Sequence, residues 1–428
     1  MEQLVTQVQG LSGSADDLGQ LLVLLRQNDD AMRSQGARLQ PALHALDPAK
    51  HSLGFLFILD GRWSAGPSRE EAENFLMSVT NFITVCSPEQ IRYCPDKFNS
   101  LCRKLREHAM NMHRPIRAVL PLQVAIRKFQ PSSEYLTPIH ADFLLVCLLS
   151  KCYKAAAPIL EDQIFEIDPK KTGLVPKDYL LYCYYGGMVQ IGLKNFLRAM
   201  ELLQHAFTAP AHVMNAIAVE AYKKYVLVCL IHNGQVPPFP KYTPSIVQRN
   251  LKGCCQGYIE LVTVYNNRNI TDLQRCLTSH EEAFRNDKNL GLAKQVVASL
   301  YKRNIQRLTQ TYLTLSLQDI AQTVQLESAK DAELHVLQMI QDGEIFATIN
   351  QKDGMVRFQE DSEQYKTREM SQRLHSEIQK VIRLAKKLTA VDEQVSCDQA
   401  FLSKVGRERT RYDSDDFELV PQKAFSNF

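Results

Sequence analysis

The chain of 428 residues lacks any long apolar run. Runs such as Leu53–Leu59 and Phe143–Leu149 have seven residues, far fewer than the about 18 that a membrane-spanning helix needs. The polar stretch after Met1 is also unlike a secretory signal. A composition of 45% hydrophobic and 23% charged residues excludes a disordered or fibrous protein. We therefore expect a soluble protein of two or three domains, located in the cytoplasm and nucleus and with no membrane partner.

Motifs for metal or nucleophile chemistry are missing as well. The 11 cysteines include no C-x2-C pair, and no H-x-H, H-E-x-x-H or P-loop motif is present. One cluster is a candidate metal site: Cys86, Cys94, Cys102, His108 and His113. Its three cysteines are spaced eight residues apart. Such steps do not match the short ligand loops of structural zinc. We favour buried cysteines that act as small hydrophobic residues, and we expect no metal, no cofactor and no enzymatic activity.

Proline is almost absent after residue 244. Of the 18 prolines, 17 lie at or before Pro244, and only Pro421 lies beyond it. Because proline ends helices, we predict many short helices before this point and a few uninterrupted ones after it. Strand patterns are nearly absent before residue 340, so the first part is predicted to be all-α. Four segments have helical lengths and turn residues at their ends: His140–Tyr153, Asp178–Gly192, Leu193–Phe207 and Val213–His232.

One stretch before residue 210 has the residue pattern of a tetratricopeptide hairpin. Gly187 and Ala199 stand where small residues let two helices approach, and Phe196 and Leu203 stand where large residues fill the groove between them. A plain helical hairpin is the alternative, because any close antiparallel helix pair needs similar residues. The surrounding helices repeat without a strict period. We predict an irregular, TPR-like, right-handed helical-repeat solenoid, a class that usually presents surfaces to partners.

The hydrophobic period changes after residue 316. Two capping boxes, Ser316–Asp319 and Ser328–Asp331, each open an amphipathic segment. The residues predicted to be buried are Leu317, Ile320, Ala321 and Val324 in the first helix, and Ala332, Val336, Met339 and Ile340 in the second. Strict alternation then begins at Ile345, followed by a hairpin turn signal at Asp353-Gly354 and a return strand. Two helices followed by a two-stranded wing predict a winged-helix domain.

The charge of this segment argues against nucleic-acid binding. The whole chain has a net charge of only +3, too small to indicate a polyanionic partner. From Ser328 to Glu344, the single base Lys330 stands against four acids, a formal charge of −3. A helix in the DNA major groove gains much of its affinity from bases that neutralise phosphates. Nucleic acid is therefore an unlikely partner, and Lys302, Arg303 and Arg307, one helix upstream, are interpreted as a solvated face.

Several motifs resemble those of a known protein family. L-T-L-S-L-Q-D-I-A (Leu313–Ala321) and D-G-E-I-F-A-T-I-N-Q-K-D-G-M-V-R-F (Asp342–Phe358), placed after a helical array, resemble a PCI domain. This module is shared by subunits of the proteasome lid, the COP9 signalosome and a translation-initiation complex. Further motifs resemble the family of third subunits of the COP9 signalosome: H-S-L-G at His51, I-H-A-D at Ile139, Y-Y-G-G-M at Tyr184, Y-K-K-Y at Tyr222, P-K-Y-T at Pro240 and N-I-Q-R-L-T at Asn304.

The resemblance implies a non-catalytic scaffold subunit. Members of that family support deneddylation of cullins in cullin-RING ubiquitin ligases, and a separate metalloprotease subunit holds the zinc. The implied partners are other PCI and MPN subunits, with cullin-RING ligases contacted indirectly. Two alternatives stay open at this point. One is a scaffold of the proteasome lid or of translation initiation, and the other is a nucleic-acid-binding winged-helix protein.

The predicted organisation has four parts. A helical-repeat solenoid over residues 1–285 precedes a PCI subdomain over 286–361, with a helical lead-in at 289–314 and the winged helix at 316–358. A C-terminal bundle helix follows over 362–397. The last part, 398–428, is predicted to be a disordered tail, in which Ser414 is a candidate phosphorylation site.

Two surfaces are predicted to contact other subunits. The first is the wing, because an edge strand leaves backbone groups that a neighbouring strand can pair with; its residues are Ile345, Phe346, Ala347, Thr348, Ile349, Met355, Val356 and Phe358. The second is an apolar stripe on the C-terminal helix, too long for one small domain to cover; its residues are Leu374, Ile378, Val381, Ile382, Ala385, Leu388 and Val395. A wing that packs only on its own helices, and a stripe that packs back onto the solenoid, are the alternatives.

Overall fold

A computed structural model describes residues 2–13, 15–34, 36–63, 71–211, 213–360 and 367–404. The chain divides into two compact units. The first comprises Met1–Thr311 and Leu317–Val336, and the second comprises Tyr312–Ser316 and Leu337–Phe428. Within the described residues, helices dominate and the strands belong to one small sheet, as predicted for a helical-repeat protein with a winged-helix part.

The helices before the proline-poor part are mostly short. They are α1 (Glu2–Gly10), α2 (Ala15–Gln27), α3 (Asp29–Ser34), α4 (Gln40–Ala45), α5 (Ser52–Arg62), α6 (Ala72–Val85), α7 (Pro88–Arg92), α8 (Pro95–Asn111), α9 (Val119–Phe129), α10 (Pro138–Leu149), α11 (Tyr153–Leu160), α12 (Pro169–Thr172), α13 (Pro176–Gly192), α14 (Phe196–Thr208) and α15 (Ala216–His232). Short 3-10 helices span Gly36–Leu39 and Pro115–Ala118.

The elements after Pro244 include the sheet. They are α16 (Ser245–Cys254), α17 (Gln256–Asn266), α18 (Ile270–Ser279), α19 (Glu281–Asn286), α20 (Leu290–Thr311), β1 (Thr314–Ser316), α21 (Leu317–Val324), α22 (Ala329–Gln341), β2 (Phe346–Asn350), β3 (Met355–Gln359) and α23 (Arg368–Ser396). The prediction of a few uninterrupted helices is wrong for the segment from α16 to α19, whose helices have 6 to 11 residues.

Left-handed backbone residues end two of these helices, α17 and α19, without proline. Arg268 (φ 63°) follows α17 and Lys288 (φ 58°) follows α19. The same conformation at Lys151 and Lys194 ends α10 and α13, which explains why the predicted helices at His140–Tyr153 and Leu193–Phe207 are divided or start later. A left-handed residue just past a helix lets the following N–H groups bond to the last helical carbonyls; the N–H of Asn195, for example, donates to the carbonyl of Gln190 at 2.9 Å.

The α13–α14 hairpin has the close packing that its sequence predicts. A Cβ placed on Gly187 would lie 2.7 Å from Leu203 Cγ and 3.6 Å from the carbonyl oxygen of Ala199. Leu203 and Ala199 are fully buried, whereas Phe196 at the start of α14 is only half-buried. The two helices therefore approach as closely as a glycine allows. In the first unit α14 in turn packs on α15, and α15 packs on α20.

The core of the first unit is formed where one helix is enclosed by several others. In α10, the residues from Pro138 to Leu144 are all buried, and so is nearly every residue of α5. Helices on the periphery instead bury one apolar face, as α14 does. Amphipathic periodicity therefore appears only in outer helices, because a helix that is covered on all sides needs apolar residues all round.

The second unit contains an antiparallel sheet with the strand order β1-β3-β2. Thr348 of β2 is paired with Arg357 of β3, and Thr314 of β1 is paired with the same arginine from the other side. The β2–β3 hairpin was predicted, and its loop contains Gly354 at φ 63°. Strand β1 was not predicted; it ends at Ser316, so the first capping box coincides with a strand end.

The two helices of the winged-helix part bury the predicted faces with one exception. Leu317, Ile320, Ala321 and Val324 are buried in α21, and Ala332, Val336 and Met339 are buried in α22. Ile340 is only half-buried. At the start of α22, the N–H of Asp331 donates to Ser328 Oγ at 3.2 Å, and the Ser328 hydroxyl donates to the Asp331 carboxylate at 2.8 Å. This serine cap is the one predicted from sequence.

The C-terminal helix α23 has 29 residues, which makes it about 43 Å long. It begins at the N-cap Thr367, whose Oγ accepts a hydrogen bond from the Met370 N–H at 3.2 Å. Residues 399–404, at the start of the predicted tail, are also helical. The rest of that tail, including Ser414, lies outside the described residues. No helix in the described ranges is both long and apolar enough to span a bilayer.

Candidate protein-interaction surfaces

The predicted wing residues separate into buried and exposed sets. Ile345, Val356 and Phe358 are buried inside this chain, with 6%, 0% and 5% of their surface exposed. Phe346 and Met355 are exposed at 44% and 37%. The remaining three are Ala347 and Ile349, which are half-buried, and Thr348, which is exposed. Only the exposed and half-buried residues can offer side chains to a partner without a rearrangement.

The sheet order also limits which strand can be extended by a partner. Strand β3 lies in the middle of the sheet, between β1 and β2. Both of its edges are already hydrogen-bonded within the chain, so the predicted contribution of Met355–Phe358 to sheet extension cannot come from its backbone. Strand β2 is an outer strand. The other outer strand, β1, has only three residues and is not part of the predicted wing, so within the wing Phe346–Asn350 is the segment to which a partner strand can add.

The backbone directions of β2 follow from one hydrogen bond. The N–H of Phe358 donates to the carbonyl of Leu313 at 2.9 Å, so at Phe358 the β3 backbone faces β1. Successive residues of a strand direct their backbone groups to opposite sides. The backbone of Arg357 therefore faces β2 and exchanges hydrogen bonds with Thr348. The N–H and C=O of Ala347, which precedes Thr348 in β2, then point to the outer edge of the sheet.

The apolar stripe of α23 is exposed along its whole length. All seven predicted residues are exposed, among them Leu374 at 60%, Val381 at 64% and Leu388 at 68%. No described residue of α23 is buried. Three further apolar residues of the helix were missed by the sequence prediction: Met370, Leu384 and Val391. Periodicity alone could have indicated Met370, because it lies one turn before Leu374.

The stripe has the period of a helix that packs against another helix. Its members alternate in steps of four and three from Leu374 through Ile378, Val381 and Ala385 to Leu388, which is the heptad spacing of coiled coils and helical bundles. The flanking charges lie off the stripe; Lys380, for example, pairs with Glu377 at 2.6 Å. An exposed apolar face of this length is typical of an interaction surface rather than of a solvated helix.

The I-H-A-D motif, which lies outside the wing, has a structural role. In I-H-A-D, His140 Nδ1 accepts a hydrogen bond from the N–H of Thr137 at 3.1 Å and completes a capping box at the start of α10. Burial lowers the pKa of His140 to about 4, so this imidazole is neutral. Asp142 of the same motif is hydrogen-bonded to Arg106, yet desolvation raises its pKa to about 6. Both residues are buried in the solenoid, and neither lies in the predicted interaction surfaces.

The cysteine cluster weighed as a metal site has the properties of a packed core. Cys86, Cys94 and Cys102 are buried. Burial raises the pKa of Cys86 to about 11 and raises that of Cys102 well above its ordinary value, as expected for thiols packed in an apolar core. In the described ranges, no group of three or more His, Cys, Asp or Glu side chains is arranged to hold a metal ion.

A helical-repeat array, a winged-helix part and an exposed C-terminal helix together define a PCI-domain protein. A family model described as COP9 signalosome complex subunit 3, N-terminal helical repeats, matches residues 15–247, and the PCI domain model matches residues 277–360. The chain is 52% identical over 425 residues to COP9 signalosome complex subunit 3 of Arabidopsis thaliana, covering 99% of this chain and 98% of the relative. It is 41% identical over 380 residues to COP9 signalosome complex subunit 3 of Dictyostelium discoideum, covering 88% and 90%. The chain belongs to the COP9 signalosome subunit 3 family, which confirms the resemblance found in its motifs.

Proposed function

We propose that this chain is a non-catalytic scaffold subunit of the COP9 signalosome. Its family membership supports the assignment to that complex rather than to the proteasome lid or to translation initiation. The observation that carries the scaffold role is the exposed heptad stripe of α23. A subunit with such a surface contributes binding sites for other subunits, whereas the sequence offers no H-x-H pair for a metal isopeptidase.

The stripe of α23 is the principal contact in this proposal. Burying its seven side chains against helices of other subunits would contribute on the order of 10 kcal/mol of hydrophobic free energy, which is opposed by the entropy lost on association. Because the residues repeat with a heptad period, the partners are expected to be helices aligned with α23. The residues that we assign to this contact are Leu374, Ile378, Val381, Ile382, Ala385, Leu388 and Val395.

The outer strand of the wing is the second contact. A strand from a neighbouring PCI subunit would pair with the outward backbone groups of β2, including those of Ala347, and its side chains would meet the exposed Phe346 and Thr348. Strand β3 is hydrogen-bonded to the inner edge of β2. This proposal narrows the predicted wing surface to the residues of β2, with Met355 at its exposed end.

The complex containing this subunit would act on cullins. We infer that the chain holds neighbouring PCI and MPN subunits in place, so that a separate metalloprotease subunit can remove the ubiquitin-like modifier from cullin-RING ligases. The chain would contact the ligases only through the assembly. Its location in the cytoplasm and nucleus stays a prediction, which fractionation of cells expressing the tagged chain would test.

Co-purification of the full-length chain tests the proposal. The tagged chain is expected to bring down the PCI and MPN subunits together with activity that removes the modifier from cullins. Recovery with the subunits of the proteasome lid, or recovery alone from cells that contain the assembled signalosome, would contradict it. A Leu388→Glu chain, with Ala390→Glu as its matched control, shows whether α23 carries the assembly.

A further inference from the structure

A polar cavity of about 640 Å³ lies in the first unit, beyond the interaction surfaces described above. It is formed by the segment that follows α15, by the end of α17 with Arg268, and by one face of α20. Three arginines line it, Arg268, Arg303 and Arg307, together with six asparagine and glutamine side chains, and none of its lining residues is Asp or Glu. Its volume lies in the range of cavities that bind small molecules.

Arg303 is fixed in the wall of this cavity. Its Nη2 donates a hydrogen bond to the carbonyl of His232, the last residue of α15. The guanidinium passes directly over Gly234, where a Cβ would lie 2.4 Å from Arg303 Nε and 2.7 Å from Cζ. The glycine therefore makes room for the arginine. The sequence interpretation of a solvated face is wrong for Arg303, which is half-buried.

The Nε donor of this guanidinium lacks an acceptor in hydrogen-bonding geometry, although the side chain also interacts with the Tyr265 hydroxyl in the cavity wall. Arg303 Nε is buried and has no hydrogen-bond partner in the described part of the chain. A buried donor without an acceptor is unfavourable until a ligand or water supplies one. No acid lines the cavity to do so, whereas buried bases elsewhere in this unit are paired, as Lys223 is with Asp287 at 2.8 Å.

Arg268 and Arg307 add two further guanidinium groups. Arg307 follows Arg303 by one turn of α20, and Arg268 is held at the left-handed position after α17. Both are exposed, and neither is paired with a carboxylate among the described residues. The cavity thus combines one fixed and two accessible positive charges without a counter-ion from its own walls.

We propose that this cavity binds a small ligand that carries two or more phosphate groups. A guanidinium donates two parallel hydrogen bonds that match the oxygens of a phosphate, and three guanidinium groups exceed what a single phosphate or carboxylate needs. The amides of Asn304 and Gln306, which lie beside Arg303 and Arg307 in the N-I-Q-R-L-T motif, supply further donors. This inference does not depend on the proposed scaffold function, because the cavity shares no residue with the wing or with α23.

Titration of the full-length chain with sodium tripolyphosphate tests the assignment. Calorimetry at physiological salt is expected to show saturable binding of one ligand per chain. Arg268→Gln and Arg307→Gln alter two exposed side chains, so we expect the fold to stay intact while each substitution weakens binding about tenfold or more. The control Arg275→Gln, an exposed arginine outside the cavity, should stay within about twofold of the unmodified chain.

Three outcomes would overturn the proposal. They are an absence of saturable binding, an equal loss of affinity in Arg275→Gln, and an equal affinity for a hexaglutamate peptide, which would show general attraction of negative charge. Arg303→Lys provides a further check, because lysine keeps the charge but cannot reproduce the paired hydrogen bonds. With circular dichroism unchanged, this variant is expected to lose at least as much affinity as Arg307→Gln.

Discussion

Gly187 of α13 lies against Leu203 of α14 so closely that a Cβ on the glycine would be 2.7 Å from Leu203 Cγ. We predict that Gly187→Ala lowers the stability of the chain. The added methyl group must displace a fully buried leucine, at a typical cost of about 1–3 kcal/mol, which outweighs the roughly 1 kcal/mol that alanine gains over glycine in a helix. The urea midpoint of unfolding is the measurement.

Gly19→Ala is the matched control for this substitution. Gly19 lies inside α2, and a Cβ at this position would meet nothing within 4 Å. Here the helix propensity acts alone, so the urea midpoint should stay equal or rise slightly. If Gly187→Ala were as stable as Gly19→Ala, close packing of the hairpin would not be what requires the glycine.

The stripe of α23 predicts a variant that folds but does not assemble. Leu388 is 68% exposed, so Leu388→Glu should leave the urea midpoint of the free chain unchanged. Incorporation into the complex should fall about tenfold or more, because a charge cannot be buried among apolar helices without a partner. Ala390→Glu places the same charge on the opposite face of the helix, about 200° away, and should assemble normally. Equal incorporation of both variants would show that the stripe of α23 does not contribute to assembly.

The outer edge of β2 predicts a difference between two substitutions at one residue. Ala347→Pro removes an N–H that points away from β3, so the hairpin should persist while incorporation into the complex falls about tenfold. Ala347→Ser keeps the N–H and should assemble as the unmodified chain does. A proline at Thr348 is a poorer test, because the Thr348 N–H bonds inside the hairpin. Normal assembly of folded Ala347→Pro would exclude sheet extension at this edge.

Buried His140 predicts an acid-sensitive solenoid. Burial lowers the pKa of His140 to about 4 from the unfolded value of about 6.5. At a pH between these two values, His140 is therefore protonated in the unfolded chain but neutral in the folded chain. The stabilisation is complete above pH 6.5 and is lost as the pH falls towards 4, by on the order of 3 kcal/mol. His140→Gln keeps an acceptor for the Thr137 N–H and should show a smaller loss of urea midpoint between pH 7 and 4.

The comparison between His140→Gln and the unmodified chain isolates this effect. Asp142 titrates in the same range with the opposite sign, because its raised pKa favours the folded state as the pH falls. The difference between the two proteins removes that contribution. The exposed His375 of α23 supplies the control, since His375→Gln should follow the unmodified chain. Identical curves for His140→Gln and the unmodified chain would contradict the buried neutral imidazole.

Local sequence patterns predicted the β2–β3 hairpin, but they did not predict that β3 would be the central strand of a three-stranded sheet. Alternation from Ile345 to Ile349 and the Asp353-Gly354 signal indicated the hairpin correctly. Strand β1 has only three residues, although Leu313, Leu315 and Leu317 alternate. Because β1 pairs with a strand some 40 residues later, no local signal shows that β3 is central. The buried state of Val356 and Phe358 follows from that pairing and could not be read from the hairpin alone.

Several helix ends in the solenoid could also not be predicted from the sequence. Lysine and arginine at left-handed positions, such as Lys194 and Arg268, have no preference that would mark them as stops, so the breaks after α17 and α19 were missed. The stripe of α23 was predictable, because its period needs no tertiary information. The arginine cavity was not, since Gly234, Arg268 and Arg303 come together only through the packing of α15, α17 and α20.

Affinity purification of the tagged full-length chain, followed by mass spectrometry, tests the scaffold assignment most directly. We predict that the unmodified chain and Ala390→Glu are recovered with the PCI and MPN subunits of the signalosome in equal amounts. Leu388→Glu, folded to the same extent, should be recovered largely alone. Recovery of all three chains without those subunits, or of Leu388→Glu with the full set, would contradict it.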